Sequence, residues 1–331
     1  MADVVNLGDV QKAAERIDGF ARKTEIMTSQ YMNDLSDRQL YFKCENFQKT
    51  GSFKFRGALN AVDDLISTES SSERSPGVIT HSAGNFAQGV ALAAKLRNLE
   101  ARIIMPENAP ACKKAAVRDY GAQIVECIAT DEGRQEKLKE LQQVLGSNFH
   151  FLSSNQDIRV IAGQGTAALE FLNEVPKLDA IVVPVGGGGL LSGTAIAAKS
   201  IKPEIKVFAA EPAAACDCYN SLSKGELLPN ASPPQTIADG LRTSIGKTTW
   251  PIIRKYVDRV ILVSEEEIVC AMKLIWERMK LVVEPSGAVP LAAVLTEEFR
   301  TIGGDRQHVG IILSGGNLDL ERLPWLKGRP Q

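Results

Sequence analysis

Along this chain, short runs of β-branched and aliphatic residues alternate with longer stretches whose apolar positions recur every three or four residues. Val78-Ile79-Thr80 reads as a strand, Phe86 to Asn98 as a helix, Ala101 to Met105 as a strand and Pro110 to Tyr120 as a helix. Gln123 to Cys127 and Phe149 to Leu152 read as strands on either side of a helix from Glu132 to Leu145. Strands spaced by helices of about 10–15 residues predict right-handed βαβ crossovers and a parallel sheet. The pattern restarts after a long helix over Val160 to Glu174. Ala180 to Pro184, Lys206 to Ala210, Asp258 to Val263 and Val309 to Leu313 are predicted strands. Leu190 to Ser200, Glu265 to Met279 and Pro285 to Phe299 are predicted helices.

Two stretches interrupt this alternation. Ser67 to Pro76 holds five serines without periodicity and reads as a hinge or linker. Leu227 to Ala238 carries three prolines and reads as loop. The expected architecture is α/β, with two three-layer domains built on parallel-rich sheets. Residues 1–75 and 156–331 form the larger domain, and 76–155 a smaller, mobile domain inserted between its parts.

Composition narrows the partners. The 331 residues, 44% hydrophobic and 24% charged, suit a soluble globular protein with a substantial core. With 38 basic and 40 acidic residues and no massed run of either sign, neither nucleic acid nor an anionic membrane is an expected partner. No apolar run approaches a membrane span, and Asp3, Asp9, Glu15 and Asp18 speak against a signal or transit peptide. A cytoplasmic location is expected. The six cysteines are scattered and read as reduced thiols. The three histidines lack ligand spacing, so a structural zinc site is not expected.

Lys54 has the least ordinary address among the lysines. It lies in Gly51-Ser52-Phe53-Lys54-Phe55-Arg56-Gly57-Ala58, at the first turn of a predicted helix and between two phenylalanines. An amine attacks a carbonyl only when neutral, so a reacting lysine must lose roughly 3 units from a solution pKa of about 10.4. Apolar neighbours and the positive end of a helix dipole both push it that way. A surface lysine that merely opens a helix is the plain alternative. A second motif, Val182-Val183-Pro184-Val185-Gly186-Gly187-Gly188-Gly189-Leu190-Leu191-Ser192-Gly193, is a strand, four glycines and a helix start. Bare backbone lets successive N–H groups converge on an anion, with phosphate the natural guest. A nicotinamide site is the rival, with Glu211 near where its ribose-binding acid would stand. No Gly-Lys-Ser/Thr follows, which excludes a Walker A loop.

With the loops Ser82-Ala83-Gly84-Asn85 and Ser314-Gly315-Gly316-Asn317, these motifs form one constellation. It resembles the fold-type II pyridoxal-phosphate enzymes, which share the tryptophan synthase β-like fold. Within them the chain is similar to the serine racemase and serine/threonine dehydratase family, from about Val10 to Leu320. Lys43-Cys44-Glu45-Asn46-Phe47-Gln48-Lys49-Thr50, Ile161-Ala162-Gly163-Gln164-Gly165-Thr166 and Thr236-Ile237-Ala238-Asp239-Gly240 carry the resemblance further. Ser244-Ile245-Gly246, Thr249-Trp250-Pro251 and Trp276-Glu277-Arg278-Met279-Lys280-Leu281 place it nearest the animal racemases of that family.

The resemblance implies pyridoxal 5'-phosphate, linked covalently to Lys54, which afterwards serves as base at Cα. It implies Phe53 against the cofactor ring, Asn85 on the ring oxygen and Asn155 as a further contact. Gly186, Gly187, Gly188, Gly189 and Leu190 match the phosphate loop, and Ser314 the partner of the pyridine nitrogen. A hydroxyl there leaves that nitrogen largely unprotonated, which suits elimination of a β-substituent. Glu211, the Ala215 carbonyl and Asp217 match a divalent-metal site for Mg2+, Ca2+ or Mn2+. On spacing alone, those two acids read as a solvated face. Ser29, Lys49, Thr50, Gln88, Tyr120, Lys280 and Asn317 match positions that hold ATP at a homodimer interface, while Gln30 and Tyr31 depart from that pattern. Ser82, Asn85 and Arg134 are candidates to meet the amino-acid substrate, although Arg134, in Asp131-Glu132-Gly133-Arg134, reads equally well as a surface arginine.

One departure bears on the reaction. Racemisation needs a proton-carrying group on each face of Cα, and the family's racemases place a serine immediately before Gly-Asn. Here that position is Ala83, which has no proton to exchange, and Phe86 replaces the histidine common after Gly-Asn. Ser-Ala-Gly-Asn is the form found in the family's dehydratases. Ser82 is one residue away and is expected to point elsewhere on an extended loop. The expected activity is therefore dehydration of L-serine, with L-threonine or a 3-hydroxyaspartate as relatives, to a 2-oxo acid and ammonia. A serine or aspartate racemase, with Ser82 or a water serving the second face, is the alternative. Ser153-Ser154 faintly resembles a serine run of aspartate racemases. An inactive cofactor- or nucleotide-binding relative is the third reading, and the retention of Lys54, the glycine loop and Ser314 speaks against it.

Overall fold

The computed structural model describes residues 4–68, 76–109, 111–304 and 307–326. Its strands in chain order are β1 (Ile26–Met27), β2 (Gln39–Cys44), β3 (Gly77–His81), β4 (Ala101–Pro106), β5 (Gln123–Cys127), β6 (Phe149–Phe151), β7 (Ala180–Pro184), β8 (Lys206–Pro212), β9 (Arg259–Val263) and β10 (His308–Leu313). The first helices are α1 (Leu7–Ile17), α2 (Gln30–Ser36), α3 (Lys54–Thr68), α4 (Asn85–Leu96), α5 (Ala111–Asp119) and α6 (Asp131–Leu145). They are followed by α7 (Ile158–Glu174), α8 (Gly189–Ile201), α9 (Asp217–Lys224), α10 (Trp250–Tyr256), α11 (Glu265–Leu274), α12 (Pro285–Val294) and α13 (Glu297–Gly303).

The strands form two sheets. One runs β5-β4-β3-β6, entirely parallel, and is built wholly from residues 77–151. The other runs β1-β2-β10-β7-β8-β9 and is parallel except for the short antiparallel pair at β1. A parallel sheet is covered on both faces, so its strands read as unbroken apolar runs. All five residues of β7 are buried accordingly. The period of two still decides which side each residue serves. Val182 packs with Leu291 and Ala292 of α12, whereas Ile181 and Val183 pack with Leu190 and Leu191 of α8. The four-stranded sheet is layered likewise. Phe55, Leu59 and Val62 of α3 and Phe86 and Val90 of α4 join Val78 and Ile103 on one face, and Leu138 of α6 meets Ile79 and Ile104 on the other.

Glycines bring α3, α7 and α8 closer than side chains would allow. A Cβ on Gly163 would lie 2.6 Å from Gly57 Cα, and one on Gly165 would lie 2.8 Å from the Gly193 carbonyl oxygen. This packing fixes the start of α3, which presents Lys54, relative to the start of α8, which follows the glycine loop.

Two predicted helices are corrected. The stretch Pro285 to Phe299 is two helices, because Thr296 caps a new one: its Oγ1 accepts the Phe299 N–H at 3.1 Å. The stretch Glu265 to Met279 is α-helical only to Leu274 and finishes in a π turn, Ile275–Met279, that hands over to Lys280 at φ +59°. Of the serine-rich hinge at 67–76, residues 69–75 lie outside the described residues. The proline-bearing stretch 227–238 is loop, as expected. Among the described residues, no helix is long and apolar enough to cross a membrane.

Candidate active site

Parallel strands deliver the loops that follow them to one edge of the sheet, which is where open α/β folds collect their sites. In the four-stranded sheet that edge carries Ser82 to Asn85 after β3, α5 after β4, the first turn of α6 with Arg134 after β5, and Ser153 to Asn155 after β6. In the six-stranded sheet it carries the glycines after β7, Glu211 to Asp217 around the end of β8, and Ser314 after β10.

Hydrogen bonds join the two edges. Asn155 Nδ2 donates to the Gly187 carbonyl at 3.2 Å. Asn85 Nδ2 donates to Glu284 Oε1 at 2.8 Å, and Asn85 Oδ1 accepts from Asn317 Nδ2 at 2.9 Å. Asn317 also donates to the Thr50 carbonyl at 2.6 Å. The Phe53 N–H donates to the Ser314 carbonyl at 3.1 Å, beside a bridge between Ser52 and Gly315. Lys54, Phe53, Asn85, Asn155, the glycine loop and Ser314, drawn from distant stretches, thus come together.

Lys54 opens α3 as the spacing predicts, and its Nζ stands 4.9 Å from the Phe53 ring centroid and 6.0 Å from that of Phe86. Burial pushes its pKa down to about 8, while the carboxylate of Glu284 pulls the other way. The glycine loop has the form of an anion cradle. Gly188 takes φ +85°, and a Cβ on Gly187 would fall 2.2 Å from Asn155 Nδ2. Among the described residues, the N–H groups of Gly186, Gly187 and Gly188 donate to no acceptor. Three unspent donors at the start of the 13-residue α8, with Leu190 buried behind them, suit a phosphate. A buried amine of lowered pKa near such a cradle fits pyridoxal phosphate.

Ser82 Oγ accepts the Gly84 N–H at 3.2 Å and, among the described residues, donates to nothing, so its proton is unspent. Ala83 sits between them, half-buried. Arg134 lies in the first turn of α6, where its charge acts on the Cys127 thiol.

Glu211 and Asp217 are both 1% exposed. Glu211 accepts the N–H groups of Cys218 and Tyr219, each at 2.9 Å, and Asp217 accepts from Asn230 Nδ2 and the Ile245 N–H, each at 2.8 Å. Burial pushes Glu211 up to about 8 and Asp217 up to about 6. Two buried acids with neutral donors and, among the described residues, no basic partner suit a hard cation, with the buried Ala215 beside them on a short 3₁₀ turn. Among the described residues no three His, Cys, Asp or Glu side chains gather as a metal group, so a carbonyl such as that of Ala215 would have to complete the set.

Of the seven nucleotide positions, Thr50 and Asn317 are directly joined, Lys49 shares the tight turn with Thr50, and α4, bearing Gln88, packs against that turn. Thr50 holds φ +62°, and its buried Oγ1 has no hydrogen-bond partner among the described residues. Ser29 is engaged in capping α2, Lys280 donates to the Glu277 carbonyl, and Tyr120 packs beneath the four-stranded sheet. These three make no hydrogen bond to the Thr50–Asn317 pair among the described residues.

Sequence reasoning missed Glu284. It is 3% exposed and pushed up to about 8 by burial, and it turns its carboxylate toward Asn85 instead of capping its own helix. The acid before Pro285 signalled only a helix start. Thr249, whose Oγ1 donates to the Gly187 carbonyl at 3.0 Å, stood out only as part of the Thr249-Trp250-Pro251 motif, with nothing local to tie it to the glycine loop.

A family model described as pyridoxal-phosphate dependent enzyme matches residues 17–315. The chain is 51% identical to serine racemase of Homo sapiens over 326 residues, 98% of this chain and 94% of that protein. It is 44% identical to beta-hydroxyaspartate dehydratase of Paracoccus denitrificans, over 96% of this chain and 98% of the relative. The crystal structure of serine racemase from Dictyostelium discoideum superposes with a TM-score of 0.89 at 49% identity, covering 96% of this chain and 99% of that one.

Proposed function

This chain belongs to the pyridoxal-phosphate-dependent enzymes, in the serine racemase and dehydratase family, and from that premise we propose that it racemises serine, with β-elimination to pyruvate and ammonia as a competing outcome. The observation that carries the choice is the similarity to serine racemases along nearly the whole chain. This departs from the dehydratase expectation drawn from Ala83.

In this reading the N–H groups of Gly186 to Gly188 would hold the phosphate of the cofactor, and Phe53 and Ser314 would hold its ring. When bound, pyridoxal phosphate supplies the electron sink that makes the Cα proton acidic. Lys54 Nζ removes that proton from one face, and its lowered pKa suits a base working near neutrality. Ser82, with its proton unspent, serves the other face in place of the serine that Ala83 replaces. Asn85 orients the loop through Glu284, and Arg134 takes the substrate carboxylate. A second reading, elimination alone, is favoured by Ala83.

The same proposal includes a divalent cation on Glu211, Asp217 and the Ala215 carbonyl. It includes ATP at the Thr50–Asn317 corner, for which the orphaned Thr50 hydroxyl speaks. A homodimer is supported by the exposed apolar side chains of Tyr31, Phe47 and Val282; Arg278 lies over the Tyr31 ring, and Asn46, next to Phe47 in the chain, donates to the Val282 carbonyl. A cytoplasmic setting fits the free thiols of Cys44, Cys127, Cys216, Cys218 and Cys270.

The deciding experiment gives purified holoenzyme L-serine or D-serine and follows pyruvate and chirality in the same tube. Each isomer should generate the other, and Ser82→Ala should slow that interconversion by about 10²–10⁴-fold while sparing pyruvate formation from the L-isomer. If D-serine is inert and none forms from L-serine, the elimination reading replaces the racemase.

A further inference from the structure

One ion pair at the site has no part in holding cofactor or moving protons. Lys113 stands on α5, at the loop edge of the four-stranded sheet, and its Nζ is bonded to Asp239 Oδ2, 126 residues away on the side of the six-stranded sheet. The two side chains keep 17% and 40% of their surface, so the pair is shielded but reachable by solvent.

Each partner is fixed to a different body. Asp239 opens a 3₁₀ turn, Asp239–Leu241, in which the Gly240 N–H donates to Ser286 Oγ of α12 at 3.0 Å. Leu241 lies so close under the glycine loop that a Cβ on Gly186 would meet its Cα at 2.9 Å. Asp239 is therefore anchored to the phosphate cradle and to α12. Lys113 rides on α5, which packs on α4, and α4 begins with Asn85 of the Ser82–Asn85 loop. Both charges act on Glu284, the buried carboxylate that holds Asn85, which places the pair beside the reacting groups.

We propose that Lys113 and Asp239 are positioning residues, an ion-pair latch that holds α5 and the Ser82–Asn85 loop closed over Lys54 and so sets how tightly substrate and cofactor are retained. The latch rests on the proposed function only in taking the Lys54 cleft as the reacting site. The bonds across the cleft described above, Asn85 with Glu284 and Asn317 and Asn155 with Gly187, use Asn85 and Asn155, which the proposed function commits to the cofactor. This pair is free to be broken and remade as the cleft opens.

A latch acts on the closed population. Losing it makes substrate binding supply the missing closure, so KM rises while kcat at saturation hardly changes. The test compares holoenzyme carrying Lys113→Met, Asp239→Asn, or the exchange Lys113→Asp with Asp239→Lys. Three readings are taken: KM and kcat for serine, the rate at which hydroxylamine strips the bound cofactor, and the melting temperature. Each single substitution should raise KM and the stripping rate about three- to tenfold, with kcat within about twofold, as expected for a part-exposed pair. The exchange should recover both, and ~1 M salt should move the unmodified enzyme toward the single variants by screening the pair. Unchanged stripping in the single variants, or an exchange as impaired as they are, overturns the latch. So does a loss explained by a lower melting temperature. Stripping needs no turnover, so an enzyme inert toward serine would end the functional reading and leave this comparison standing.

Discussion

At Lys54, Phe53 and Phe86 take away the water that would stabilise an ammonium ion, and Glu284 returns only part of that stabilisation. The consequence is a pH profile. With a pKa near 8 instead of 10.5, the amine is mostly neutral above about pH 8 and protonated below it. Uptake of pyridoxal phosphate by cofactor-free protein, followed by absorbance, should rise roughly tenfold per pH unit up to about pH 8 and then level off. A rise continuing beyond pH 10 would mark an ordinary exposed lysine. The phenylalanine flanks made this residue legible from its neighbours alone. Glu284 was not legible, because what makes it unusual is its burial against Asn85, 199 residues away in sequence.

At the scale of elements, α3 must be held firmly if its first residue is to present Lys54. Two residues on, Arg56 is fully buried and bonds Glu45 through Nε and Nη2 at 2.8 Å each. It also bonds Glu170 of α7 at 2.6 and 2.8 Å. Glu170 is shared with Lys43 of β2 at 2.8 Å. The guanidinium pKa is raised by these carboxylates against the cost of burial. Breaking such a network from one side leaves a charge buried without its partner. Arg56→Met should cost about 3–5 kcal/mol in denaturant unfolding, whereas Arg56→Met combined with Glu45→Met should recover a large part of that loss. A double variant no better than the single would show that Glu45 is not the stranded charge. The pattern of the chain announced α3 but not this anchor, since a lone arginine after a lysine reads as surface until the tertiary neighbours are known.

At the scale of the whole molecule, two sheets turn their loop edges to one another, and the acids at the end of β8 sit in the same layer as the glycine loop after β7. The proposed cation would neutralise two buried carboxylates, so it should stabilise the native protein by mass action. At a free concentration about a hundred times Kd this amounts to about 2.7 kcal/mol, or several degrees in melting temperature. Chelation should lower the melting temperature by that amount, and restoring Mg2+, Ca2+ or Mn2+ should reverse the change. Asp217→Asn keeps a hydrogen-bonding side chain and should abolish the response to both treatments. An unmodified protein indifferent to chelator would remove the cation from the proposal.

By itself the sequence predicted eight of the ten strands found among the described residues, missing β1 and β2, together with most helices, and it drew attention to the glycine loop and Lys54. These depend on sterics and periodicity that reach only a few residues along the chain, so β5 and β7 could be placed to the residue. Ala83 was likewise visible at once, as the absence of a hydroxyl. Tertiary structure alone decided which distant residues meet: Asn85 with Glu284, Asn155 with Gly187, Lys113 with Asp239. It also decided that Glu211 and Asp217 are buried acids and not a solvated face. The physical reason is that burial and charge pairing are properties of a packed volume. Sheet order and helix packing fix that volume, and no local stretch of sequence encodes it.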